Sequence, residues 1–116
     1  ADGAILLEVP NLFVHNSYEI AHLHAFSQHT LAETLRLAGY RIDALRVHGQ
    51  PRSNVLGLYI TVLARPAAGP ADKTVRPEGS VRLKRRLGMA RRRLLERLMP
   101  GQAWLPFPTL PADEAE

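Results

Sequence analysis

With 116 residues the chain has room for one domain and a thin core, and a composition of 46% hydrophobic and 22% charged residues is that of a folded protein. It has no cysteine, which excludes a disulfide framework and a thiolate metal site and fits a reducing, cytoplasmic setting. The formal net charge is +4, no apolar run reaches the ~20 residues of a membrane-spanning helix, and no signal-type segment opens the chain.

Ala1-Asp-Gly runs directly into the first apolar stretch. An Asp-Gly turn leading into a strand commonly joins two elements, so the chain is expected to be a fragment of a longer domain; a mature product of signal cleavage is the alternative. Ile5-Leu6-Leu7 is a continuous apolar run closed by Pro10. It reads as a strand buried on both faces that stops where proline removes a ladder donor. Polar residues collect at its carboxyl end, where ligands sit in open α/β sheets. Glu8, Asn11, His15, Tyr18, Glu19, His22 and His24 therefore occupy the stretch where chemistry is expected.

Residues 12–26 show no clean period and read as loop with at most one helical turn. Ser27 then stands as an N-cap before a helix over 28–38, in which Leu31, Leu35 and Ala38 recur on one face. Gly39 supplies the left-handed position that ends it, and Arg36 complements the dipole of the last turn. Tyr40 to His48 alternates apolar and polar residues with a slip near the middle, the pattern of a half-buried edge strand. Val55 to Ala64 is a long strand rich in β-branched and aromatic residues, which predicts a central position.

The last two strands are joined by a connection too short for a crossover helix, so they must be antiparallel. The first two are joined through a helix and can be parallel. The expected fold is α/β, with a mixed three-stranded sheet over residues 1–66. Residues 67–80 are rich in proline and glycine and read as a linker. Ser80 can cap a helix over 81–99 with an apolar stripe of Leu83, Leu87, Ala90, Leu94 and Leu98. A proline-rich tail, 100–116, carries Trp104 and Phe107 and ends acidic.

The histidine group has the donors for zinc, but His22-x-His24 converges only on a strand and no H-E-x-x-H is present. A general base fits better, since imidazole titrates close to cellular pH. His22 is the candidate, placed just before Phe26-Ser27; the plainer reading is a histidine that bonds loop carbonyls. His29 and His48 read as surface residues.

Leu7-Glu-Val-Pro-Asn11, His22-Leu-His-Ala-Phe-Ser27, Thr30-Leu31 and the Leu35-x-x-Ala-Gly-Tyr40 helix end together resemble the carboxyl-terminal half of a class I S-adenosylmethionine-dependent methyltransferase. Gly57-Leu-Tyr-Ile-Thr-Val-Leu-Ala-Arg65 is similar to that family's last strand, which inserts antiparallel beside the strand preceding the histidine loop. The resemblance covers Ala1 to about Pro66 and implies a Rossmann-like sheet. It also implies a small-molecule methyl acceptor, such as a sugar or surface-glycan precursor, met by Glu8, Asn11, His15, Tyr18 and His24, with His22 as base. The family's glycine-rich cofactor loop has no counterpart, for no Gly-x-Gly occurs in the chain. The resemblance thus implies a missing amino-terminal half that holds S-adenosylmethionine, and a chain that does not bind it alone. The subgroup that methylates sugar carbon has H-E-H-x-x-x-F-S in this loop; Ala21 stands where its glutamate would be.

The 81–99 helix lies outside the resemblance. Its eight basic residues face one acid, Glu96, so it carries more positive charge than the whole chain's net +4 and the remainder is net negative. Its leucine stripe is expected to dock on the chain's own domain; an anionic membrane surface and nucleic acid are the alternatives.

Overall fold

The computed structural model describes residues 2–15, 24–70 and 72–107. Ser27 starts α1 (Gln28–Leu37) with a reciprocal cap: its hydroxyl accepts from the Thr30 N–H at 3.1 Å, and its own N–H donates to Thr30 Oγ1 at 2.8 Å. Gly39 ends the helix at φ +89°, a conformation that costs a side-chain-bearing residue, and turns the chain into β2 (Tyr40–His48).

β1 (Ile5–Pro10) and β2 both pair antiparallel with β3 (Tyr59–Pro66), which lies between them in the order β1-β3-β2. The expected mixed sheet is therefore corrected. β1 and β2 run the same way, as the helical connection allows, but they never pair, so both ladders are antiparallel. The slip in β2 is a register shift between Ile42 and Ala44. β3 is central as expected, although it starts at Tyr59 and residues 55–58 approach it as loop.

Register assigns the two faces. Ile5, Leu7 and Val9, Ile60, Val62 and Ala64, and Ile42, Leu45 and Val47 form one face, on which Leu31 and Leu35 of α1 pack; Ile60, Val62 and Ala64 are wholly buried. The opposite face carries Leu6, Glu8, Thr61, Leu63 and Arg46. β1 is consequently not buried on both faces: Leu6 is 69% exposed, and among the described residues β1 has no strand on its outer edge.

Residues 72–80 hold no helix or strand, yet they are strapped along α1. Arg36 bonds the Asp72 and Thr74 carbonyls, His29 Nε2 lies 2.6 Å from the Arg76 carbonyl, and the Ser27 hydroxyl donates to Glu78 Oε2 at 2.5 Å. α2 (Val81–Leu98) follows. Ser80 precedes it at φ 56° and makes no side-chain cap bond, contrary to expectation. α3 (Pro100–Ala103) begins with proline at its first position, where the missing N–H costs nothing. Ala103 joins Leu56 and Leu58 in a second small core, with Val14, Val55, Tyr59 and Leu95 around it.

Candidate functional site

Pro10 and His48 both stand opposite Tyr59, so the loops that follow β1 and β2 leave from the same end of the sheet. Asn11 ties that end together. Its N–H donates to the Leu58 carbonyl and its Nδ2 to the Gly57 carbonyl, both at 2.8 Å, while its Oδ1 accepts from the Phe13 N–H. Leu12 N–H bonds the Phe26 carbonyl at 2.8 Å, so the histidine loop leaves and returns through one clasp. Asn11 is buried with both side-chain polar atoms committed, which makes it an anchor of the site.

The other expected site residues separate. His15 starts the loop and its carbonyl accepts from Arg85, while His24 is exposed with its ring 6.5 Å from that of Phe26. Tyr18, Glu19 and His22 lie outside the described residues. Among the described residues no three His, Asp or Glu side chains converge on a point that could hold a metal.

Glu8 enters a different grouping. Its Oε2 accepts from the Thr61 hydroxyl at 3.1 Å, and Thr61 Oγ1 lies 2.6 Å from His48 Nε2. A hydroxyl that donates to Glu8 must accept from His48, so the imidazole carries its proton on Nε2 and the three form a short proton-bearing chain. His48 is no surface residue: its side chain is 15% exposed and its ring is 5.9 Å from that of Tyr59. A recess of about 270 Å³ lined by Arg46, His48, Gln50 and Thr61 opens onto this chain. A neighbouring groove of about 350 Å³ runs past Arg46, Gln50, Asn54 and Gly57 to Arg91 of α2. Period-two alternation places Glu8, Thr61 and His48 on the polar side of their strands. Only the register brings them together, with Glu8 opposite Thr61 and His48, opposite Tyr59, reaching Thr61 on the diagonal.

The start of the histidine loop is also held from outside the sheet. Arg85 bonds the Leu12 and His15 carbonyls, Arg92 Nη1 donates to the Val14 carbonyl at 2.7 Å, and Gly88 lies against the Phe13 backbone so closely that a Cβ would collide with its carbonyl. Arg92 is 7% exposed; its Nε pairs with Glu96 Oε1 at 2.8 Å, which also accepts from Trp104 Nε1, and its guanidinium lies 5.0 Å from the Trp104 ring centre. The docked face of α2 is thus Arg85, Gly88, Arg92 and Leu95. The leucine stripe is on the other side, with Leu83, Leu87, Leu94 and Leu98 at 56%, 62%, 55% and 68% exposed. This corrects the expectation that leucines would seat the helix, for loop carbonyls in need of donors are met by arginines.

Protein-family models, curated proteins and solved structures yield no match to the chain. The described residues form a small α/β fold in which no helix is long and apolar enough to cross a membrane.

Proposed function

We propose that residues 1–66 are the acceptor-facing half of a class I S-adenosylmethionine-dependent methyltransferase domain, acting in the cytoplasm on a small molecule such as a sugar or surface-glycan precursor. Strand order is the observation that carries this reading. A last strand set antiparallel beside the strand that precedes the histidine loop is what the sequence resemblance implies, and β3 lies beside β1 in that sense. The outer edge of β1, which pairs with no strand among the described residues, is the edge on which the rest of such a sheet would pair.

This reading looks for the cofactor outside the chain. No Gly-x-Gly occurs in the chain, and the amino end of α1 is occupied by its own cap and the Glu78 carboxylate around Ser27. S-adenosylmethionine belongs, in this reading, to the missing half of the domain. The chain's own part is to position the acceptor through the histidine loop, with His15, Tyr18 and His24, on a frame pinned by Asn11, and to withdraw a proton from it through His22.

The test is transfer of labelled methyl from S-adenosylmethionine by the domain rebuilt with its upstream coding sequence, beside calorimetry of residues 1–116 alone. Transfer by the rebuilt domain and no binding by the chain alone are expected. An upstream sequence without a glycine-rich strand-to-helix turn, or micromolar cofactor binding by the chain alone, would overturn the reading.

A second reading, a binding module that grips an anionic partner through α2, is favoured by one observation. The helix presents its leucines and four of its eight cations, Arg82, Arg86, Arg93 and Arg97, away from the body.

A further inference from the structure

Resting on that second reading, the geometry points to an anionic lipid bilayer as the partner, with α2 lying in the plane of its surface. Leu83, Leu87, Leu94 and Leu98 would enter the acyl boundary and the flanking arginines would meet headgroup phosphates.

At 100° per residue the exposed leucines centre on one line of the helix, and the docked residues Arg85, Gly88, Arg92 and Leu95 centre ~130° around from it. The helix is therefore carried with its apolar stripe outermost. Lys84, which also donates to Glu78, and Arg91, at the mouth of the groove beside β2, border the stripe on one side, and Arg82, Arg86, Arg93 and Arg97 on the other, all exposed. Glu96, the one acid in the helix, is turned to the body and bound by Arg92 and Trp104. An apolar stripe between two cationic borders, without acid on that face, matches the cross-section of an anionic interface, apolar below and phosphate at the level of the helix axis.

One border forms a groove of about 400 Å³ lined by Arg82, Arg85, Arg86, Met89 and Arg93. Arg85 is committed to the loop carbonyls, which leaves the guanidiniums of Arg82, Arg86 and Arg93 around an apolar floor, a setting for a phosphodiester with an acyl chain beside it. Nucleic acid fits this face less well, because phosphates in water would lie against the leucines while the cations stood to either side. A second copy meeting leucine to leucine would bring like-charged borders within a Debye length of ~10 Å.

The test is sedimentation of the full chain with phosphatidylcholine vesicles containing about 30 mol% phosphatidylserine, with pure phosphatidylcholine vesicles, and with a random duplex DNA, at an ionic strength of about 0.1 M. The wild type should bind the anionic vesicles at least ~10-fold more tightly than the neutral ones. Leu87→Ser with Leu94→Ser, and separately Arg86→Glu with Arg93→Glu, should each weaken that binding by ~10-fold or more. Far-UV circular dichroism establishes that both variants keep their helices, since the four positions are exposed. Vesicle binding that the leucine changes leave untouched would overturn the proposal, leaving a purely electrostatic contact and the second reading intact. Binding to DNA but not to vesicles, or self-association removed by the leucine changes without vesicle binding, would overturn it in favour of that partner. No binding to any polyanion would sink both.

Discussion

The Ser27 hydroxyl donates to Glu78 Oε2 at 2.5 Å across 51 residues of sequence, which puts a carboxylate from the strap at the positive end of α1. The other oxygen, Oε1, accepts from Lys84 of α2 at 3.1 Å, so one side chain, 7% exposed, joins both helices. Burial alone would raise the Glu78 carboxyl, but hydrogen bonds from Ser27 and Lys84 hold it below the usual 4.5.

A folded-state value below the unfolded one gives stability that is complete above about 4.5 and lost as pH falls through the lowered value. The strap around Glu78 should therefore lose amide protection in acid. Asp72, lowered by its hydrogen bonds to Thr74, titrates in the same direction at the far end. In Glu78→Gln the acid-dependent loss should vanish around residue 78 and persist around residue 72. Hydrogen exchange at about pH 3 and about pH 6 checks this, and an unchanged acid response at both ends would contradict it.

Gly88→Ala should raise the helicity of α2 as an isolated peptide, since alanine is favoured over glycine by about 1 kcal/mol in a helix. In the intact chain it should do the reverse. The new Cβ meets the Phe13 carbonyl, and the resulting overpacking should cost ~1–3 kcal/mol of docking. Exchange of the Val14 and His15 amides and trypsin cleavage near Arg92 report the detachment.

Leu31→Ala removes a side chain that is 3% exposed under the sheet and should destabilise the fold by ~2–5 kcal/mol. Leu87→Ala with Leu94→Ala should move it by less than ~0.5 kcal/mol per site, because neither leucine is packed. Urea unfolding of the three proteins separates the cases. A large loss in the double variant would mean that the stripe is covered in solution.

In the rebuilt domain, His22→Asn should lower the methyl-transfer rate by ~10²–10⁴-fold with little change in cofactor affinity. Steady-state rates across pH check it. A loss of under about threefold would leave His22 as a loop residue.

Local signals were legible in the sequence where short-range geometry decides them. Ser27, Gly39, Arg36, the slip in β2 and the central place of β3 all follow from caps, dipoles and alternation. An apolar run such as Ile5-Leu6-Leu7 does not reveal whether its second face has a cover, because that depends on what stands beside the strand. Periodicity marked a leucine stripe on α2 but could not tell which side meets the body. The carbonyls of Leu12, Val14 and His15 settle that in favour of arginine. Glu8, Thr61 and His48 needed the register across both ladders before they formed one group. As for His22, its expected role rests on a neighbouring motif, while Asn11 is seen to bear the architecture around it.

The clasp from Leu12 N–H to the Phe26 carbonyl means that the sheet does not sense the length of the segment between them. Closing a flexible loop costs only ~0.6 kcal/mol more for each doubling of its length. Residues added between the two clasped positions would therefore leave both ladders in register. Diversification of what this end of the sheet recognises would be open to insertion there, whereas Asn11 and Phe26, on which both ends of any such segment must land, would stay fixed in place.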